Sequence, residues 1–90
     1  MTPDRVMEVL LIYRKKFERM GISRKGFPLE RLPASDPEYL GHCYGMLDEM
    51  ETFLNDGRMD KVFRWLGFIQ GVLWTTGTYT IEELKNHNRP

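Results

Sequence analysis

The apolar positions of the chain form three long stripes with helical spacing. Apolar side chains recur at alternating intervals of three and four residues over residues 6–20, 40–54 and 59–73. Such intervals place side chains on one face of an α-helix. No segment shows a convincing strand period, because Gly77 interrupts the β-prone stretch 75–81. The pattern predicts an all-α fold in one domain, residues 1–90, with helices over about 3–20, 36–55, 58–76 and 80–87.

Residues that begin and end helices flank these stripes. Thr2 is suited to cap the first helix, and Gly21 can adopt the left-handed conformation that ends it. Ser35 and Thr80 are each followed three residues later by glutamate, which is the spacing of a capping box. The predicted order is a helix, a long loop, an antiparallel helical hairpin and a short C-terminal helix.

The long loop of residues 22–35 contains three helix-breaking residues, Gly26, Pro28 and Pro33. Loops of this length in small domains are either functional or held down by their own apolar residues. The residues suited to hold this loop down are Phe27, Leu29 and Leu32.

Two pairs of glycines lie inside the predicted hairpin, in the segments GHCYG and GFIQG. A glycine in a helix interior costs about 1 kcal/mol relative to alanine. In a hairpin centred on Asp56 the pairs fall at matching heights, on faces separate from the apolar stripes. Either these faces touch and set a close helix crossing, or they are open to solvent and the apolar stripes make the contact. The four helix-crossing candidates are Gly41, Gly45, Gly67 and Gly71.

The third helix has more apolar surface than its neighbours can cover. Its apolar arc spans about half the circumference, which exceeds the roughly 100° stripe of a typical surface helix. One helix and a loop would have to cover this arc and that of the second helix. Exposed apolar patches mark interaction sites, so we expect a helical homo-oligomer, most simply a two-fold symmetric dimer. The predicted interface residues are Trp65, Phe68, Val72 and Trp74.

Charge is balanced overall but segregated along the chain, with 13 basic and 13 acidic residues. Residues 1–32 carry eight Lys or Arg and four Asp or Glu, whereas residues 33–57 carry six acidic residues and no Lys or Arg. The basic face of the first helix either contacts nucleic-acid or nucleotide phosphates, or is a solvated face paired with the acidic second helix. The candidate phosphate-binding residues are Arg14, Lys15, Lys16 and Arg19.

Two acidic groupings raise the question of catalysis or metal binding. Asp48 and Glu51 form a D-x-x-E pair that locally resembles helical nucleoside-triphosphate pyrophosphatases, which hold magnesium with paired acidic motifs on two helices. The second acidic pair of that family is missing here, because the third helix offers Asp60 alone. A second grouping lies on one face of the second helix, and spacing is its sole support, so we expect no metal and no cofactor. Its members, the weak metal candidates, are Glu38, His42 and Glu49.

The remaining reactive side chains suggest no active site. Cys43 is the single cysteine and lies on an apolar stripe, so we expect a buried, inert thiol and no intrachain disulfide. His87 lies near the chain end and is expected to be exposed. The longest apolar run near the N-terminus, Val9–Ile12, is too short for a signal peptide or a membrane span. We therefore expect a cytoplasmic protein without a membrane partner.

The C-terminal half, from about His42 onward, resembles short phage- and prophage-borne proteins of uncharacterised function. The likeness rests on HCYGM, on GRMDKVFRWLGFIQGVLW and on the ending TIEELKNHNRP. It implies a small intracellular helical protein that is expressed during phage replication or carried on a mobile element. It implies no catalytic residue, and the N-terminal half departs more freely from the group.

Three functions are compatible with these patterns. The first is a non-enzymatic interaction or accessory protein that acts as a homo-oligomer, with a host or phage protein as a further partner; the resemblance implies that it is phage-encoded. The second is a nucleic-acid or nucleotide binder that uses the basic face of the first helix. The third is a magnesium-dependent nucleotide pyrophosphohydrolase around Asp48 and Glu51. The sequence favours the first, because the basic residues of the first helix are accounted for by a solvated face opposite its core stripe, and the hydrolase lacks its second acidic pair.

Overall fold

A computed structural model describes residues 1–26 and 30–89. Within these ranges every regular element is an α-helix and no strand occurs, which confirms the all-α prediction. Among the described residues no helix is both long and apolar enough to cross a bilayer. Each helix begins and ends within one residue of the predicted bounds. The helices are α1 (Pro3–Met20), α2 (Asp36–Asn55), α3 (Met59–Thr75) and α4 (Ile81–Asn88).

The ends of α1 and α4 follow the predicted capping chemistry. The Thr2 hydroxyl accepts a hydrogen bond from the Arg5 N–H at 3.2 Å, and Gly21 ends α1 with a φ of 71°. At α4 the capping box is complete. The Glu83 N–H donates to the Thr80 hydroxyl at 3.1 Å, and the Thr80 N–H donates to the Glu83 carboxylate at 3.0 Å. These bonds satisfy N–H groups that have no partner within the helix.

The start of α2 differs from the prediction. The Ser35 side chain makes no capping hydrogen bond, and the Glu38 carboxylate accepts the N–H of Ala34 at 2.6 Å instead of that of Ser35. The predicted capping box at Ser35 is therefore wrong. Glu38 reaches one residue further back, and its other oxygen lies 3.6 Å from the Lys25 ammonium, so it ties the loop to the helix.

The core lies where the apolar stripes of α1, α2 and α3 meet, and α4 adds Leu84. Its members are buried almost completely, and among the described residues no charged side chain is buried. The core consists of Val6, Val9, Leu10, Tyr13, Phe17, Leu40, Cys43, Tyr44, Leu47, Met50, Val62, Leu66, Ile69, Leu73 and Leu84. Burial raises the pKa of the Cys43 thiol to about 12, so this cysteine is kept protonated, as expected for an inert thiol.

The most extensive helix contact is between α2 and α3. Three residues, 56–58, connect these helices, and Gly57 takes a φ of 75° that side-chain-bearing residues rarely adopt. The rings of Phe53 and Trp65 meet edge to face with centroids 5.0 Å apart. Apolar side chains thus make the contact between the two helices.

The glycine faces do not touch, so the close-crossing alternative is contradicted. A Cβ atom added at Gly45, Gly67 or Gly71 would meet no atom of the described chain within 4 Å. Of the four candidates, Gly41 alone lies in a close contact, and that contact is with the loop and not with α3. The physical reason is that the apolar stripes, which are separate from the glycine faces, bring the helices together and leave the glycines pointing away.

The first part of the long loop lies directly on Gly41. A Cβ atom at Gly41 would sit 2.5 Å from the Ser23 carbonyl oxygen, and the Lys25 N–H donates to the Gly41 carbonyl at 3.0 Å. Leu32, which was expected to hold the loop down, is 83% exposed. The other two residues expected to do so, Phe27 and Leu29, lie outside the described residues.

Candidate functional site

The solvent-facing side of α3 carries large apolar side chains around two open glycines. Three aromatic side chains lie there half-exposed: Phe63 at 41%, Phe68 at 55% and Trp74 at 53%. Gly67 and Gly71 lie between them with open space above. We call this set, Phe63, Gly67, Phe68, Gly71 and Trp74, the α3 outer face. An exposed aromatic surface, in which the two glycines leave the helix backbone uncovered, suits the docking of another apolar element.

The predicted interface residues divide between the outer face and the protein interior. Phe68 and Trp74 belong to the α3 outer face, whereas Trp65 and Val72 are half-buried against the core. The Lys61 ammonium lies 5.5 Å from the Trp65 ring, a cation–π contact that covers part of that side chain. An interface role for Trp65 and Val72 therefore stays a prediction.

Two further exposed apolar residues, Phe63 on α3 and Ile81 near Trp74, were not among the predicted interface residues, and both are nearly half-exposed. Trp74 and Ile81 border two shallow grooves, one of about 320 Å³ along residues 77–80 and one of about 310 Å³ between α3 and α4. The spacing of Phe63 and Trp74 from Gly67 and Gly71 would have indicated this face.

The basic candidates of α1 do not form one phosphate site. Arg14 lies between two carboxylates of α2, with one guanidinium nitrogen 2.6 Å from Glu51 and 3.3 Å from Asp48. The Lys16 ammonium lies 5.5 Å from the centre of the Tyr79 ring, whereas Lys15 and Arg19 are exposed. Pairing with the acidic second helix, the alternative to phosphate binding, therefore accounts for Arg14.

The same contacts occupy the D-x-x-E pair that suggested a hydrolase. Asp48 accepts ion pairs from Arg14 and from Arg24, whose guanidinium lies 3.5 Å from its second oxygen. The Arg24 guanidinium also lies over the Tyr44 ring at 4.6 Å, which holds the first part of the α1–α2 loop against α2. Asp48 thus contacts two guanidinium groups and Glu51 contacts one, so neither carboxylate is free of a cationic partner.

The weak metal candidates on α2 do not come together. In the part of the chain that the structure describes, no three His, Cys, Asp or Glu side chains converge on a point where a metal ion could bind. The Glu38 carboxylate is used by the Ala34 N–H and the Lys25 ammonium, and the hydrogen bond from Ala34 is the main cause of its lowered pKa. The structure therefore does not bring Glu38, His42 and Glu49 together as a group of ligands.

A polar and aromatic cluster joins α4 to α1 and α3. His87, which was expected to be exposed, is half-buried, and its Nδ1 lies 3.0 Å from the Tyr13 hydroxyl. The Gln70 amide donates to the same hydroxyl at 3.0 Å and pairs reciprocally with Asn88 at 2.7 and 3.1 Å. Burial is the main cause that raises the pKa of Tyr13, to about 12. No sequence spacing indicates this cluster, because Tyr13 and His87 are 74 residues apart.

Comparison with known proteins gives no relative from which a function could be transferred. No protein-family model, no curated protein and no solved structure matches this chain. Support for a function has to come from the surfaces of the molecule itself.

Proposed function

We propose that this chain is a non-enzymatic helical interaction protein that works as a homo-oligomer, most simply a two-fold symmetric dimer formed through the α3 outer face. The carrying observation is that three aromatic side chains of one helix lie half-exposed around two open glycines. Apolar side chains in such number on one face gain free energy when another surface covers them, at about 25 cal/mol per Å² of apolar area. The accessory role in a phage or on a mobile element, implied by the C-terminal half, belongs to the same proposal.

A second copy of the chain suits this face better than a charged partner does. In an antiparallel pairing of two α3 helices, Gly67 of one copy lies opposite Gly71 of the other, so the backbones can approach closely. The same register sets Arg64 opposite Trp74, which is a cation–π pairing. The charges of Asp60 and Arg64 cancel on the outer side of the helix, so two copies meet without net electrostatic repulsion.

Light scattering on a sizing column, over a concentration series from about one to a few hundred micromolar, tests the proposal. The parent protein is expected to be dimeric. A Cβ atom at Gly67 has open space within the protomer, whereas a leucine side chain there fills the space that a second helix needs, so Gly67→Leu is expected to be monomeric with no loss of protomer stability. Trp74→Ser is expected to weaken the dimer as well, because it removes exposed aromatic surface.

Leu11→Ser is the matched control, since Leu11 is 49% exposed on the separate face of α1. It is expected to leave the dimer intact. A parent protein that stays monomeric over the whole series would overturn the homo-oligomer. A dimer that survives both Gly67→Leu and Trp74→Ser would place the interface on a different face.

A further inference from the structure

Polar contacts contribute much of the attachment of α4 to the rest of the molecule. Of the α4 side chains, Leu84 is the buried one. Arg5 of α1 donates from Nε to the carbonyl of His87 at 3.0 Å and from Nη2 to the carbonyl of Asn86 at 3.3 Å. A guanidinium at the negative end of a helix is favourable. The attachment of so short a helix is therefore sensitive to the charge state of its polar groups.

The contacts of the His87 imidazole are best satisfied by one assignment of its hydrogens. Its ring packs between Tyr13 and Tyr79, with centroid distances of 5.4 and 4.7 Å. Gln70 donates to the oxygen of the Tyr13 hydroxyl, so the hydrogen of that hydroxyl is available for Nδ1 of His87. The network thus assigns a neutral imidazole with its hydrogen on Nε2.

We infer that α4 is a pH-sensitive latch, docked while His87 is neutral and released when His87 gains a proton on Nδ1. The inference does not depend on the proposed dimer, because every contact in it lies within one protomer.

Protonation of His87 on Nδ1 would place a second hydrogen between Nδ1 and the Tyr13 hydroxyl oxygen, where the hydroxyl hydrogen already lies in the neutral state. A hydrogen on Nδ1 would point at the Tyr13 hydroxyl, which in the assigned neutral state donates toward Nδ1 and accepts from Gln70. Tyr13 is completely buried, so its hydroxyl hydrogen would lose its acceptor without gaining water. The reversed order, from His87 through Tyr13 to the Gln70 oxygen, requires the paired amides of Gln70 and Asn88 to turn over together.

The two charges that act on the imidazole have opposite effects on its pKa. Burial is the largest cause that lowers the pKa of His87; Glu83, one turn away on α4, raises it, and Arg5 lowers it. Glu83 has its own partners in the capping box, and α3 presents the uncharged Gln70. The charged groups that face the cluster are Arg5, Lys16 and Arg19 from α1 and Glu83 from α4.

The direction of the pH effect follows from this lowered pKa. The docked state holds the His87 pKa below its ordinary value of 6.5, whereas released α4 restores it. The released state therefore binds more protons, and docking is complete above about pH 6.5 and weakens as the pH falls through that value toward the docked pKa. Each pKa unit between the two states changes the docking equilibrium tenfold.

An NMR titration of the His87 imidazole from pH 8 to pH 5, with amide hydrogen exchange followed in parallel, tests the latch. His87 is expected to titrate below 6.5, and the α4 amides are expected to lose protection over the same interval while those of α2 and α3 keep theirs. The range stops above the titration of Glu83, so the capping box stays intact.

Variants separate the latch from general acid sensitivity. His87→Gln is expected to make α4 protection independent of pH, and Tyr13→Phe to bring the His87 pKa closer to 6.5. His42→Gln, at the other histidine of the chain, is the control and is expected to keep the pH dependence of α4 protection. A parent His87 that titrates at or above 6.5, or α4 protection that is unchanged across its titration, would overturn the latch. The titration of His87 and the exchange of the α4 amides are both measured on the parent protein, so they test the latch even if a variant releases α4 altogether.

Discussion

Replacing Gly41 by alanine measures how tightly the start of the long loop is held on α2. A Cβ atom there would lie 2.5 Å from the Ser23 carbonyl oxygen, and a backbone atom cannot move aside without displacing the loop. Overpacking of this kind costs about 1–3 kcal/mol. Displacement would also break the hydrogen bond from the Lys25 N–H to the Gly41 carbonyl, worth about 1 kcal/mol.

Gly45→Ala is the matched control, one turn further along the same helix. Its Cβ atom would meet no described atom within 4 Å, so the substitution retains only the gain in helix propensity, about 1 kcal/mol. Both variants share that gain, and the difference between them isolates the loop contact. We expect Gly41→Ala to be less stable than Gly45→Ala by about 2–4 kcal/mol, which combines the overpacking with the lost hydrogen bond.

Urea unfolding followed by far-ultraviolet circular dichroism gives the two free energies of unfolding, and thermal unfolding provides a second measure. For a domain of this size, 1 kcal/mol corresponds to about 4–8 °C in Tm. Equal stabilisation by the two alanines would refute the close contact at Gly41. Destabilisation by Gly45→Ala would refute the open space above Gly45.

Two further predictions concern charged residues. Arg14→Gln leaves Asp48 and Glu51 without their shared guanidinium, so we expect the free energy of unfolding to fall by about 1 kcal/mol, and by less in 1 M salt. Arg19→Gln is the control, and equal effects of the two substitutions would contradict the pairing. Hydrogen bonds from the Thr80 backbone and side chain lower the pKa of Glu83 below 4.5, so its stabilising effect is present above that pH and lost as the pH falls through the lowered pKa. Glu83→Gln should remove this part of the acid dependence of α4 protection, Glu82→Gln should not, and identical acid profiles for the parent and Glu83→Gln would count against the capping role.

The fold was predictable from the sequence where local chemistry decides it. Helix ends at Thr2, Gly21 and Thr80 depend on residues a few positions apart, and the apolar stripes set which faces are buried. The contact of Gly41 with Ser23 depends on the path of an aperiodic loop, which no pattern indicates. Tyr13, the partner of His87, lies at the other end of the chain, so the burial of His87 could not be predicted from sequence spacing either.

The candidate site was predictable in part for a similar reason. An apolar arc wider than a core needs can be counted on a helical projection, and Phe68 and Trp74 are indeed exposed. Which side of that arc turns inward depends on the neighbouring helices, so Trp65 was placed on the outside although it packs against Phe53. For Arg14, pairing with α2 and phosphate binding were two alternatives that sequence spacing does not distinguish, whereas the contact with Glu51 does.

The hydrogen bond between Arg5 and the carbonyl of His87 joins positions 82 residues apart, and this separation has a kinetic consequence. The connection between α2 and α3 closes over three residues, so their pairing requires little loop entropy, whereas each doubling of a loop adds about 0.6 kcal/mol to its closure. Contacts between distant segments form slowly for this reason. We therefore expect α2 and α3 to pair early in folding and α4 to dock late, so that a protease acting on transiently opened molecules would cut first in the segment around Lys85.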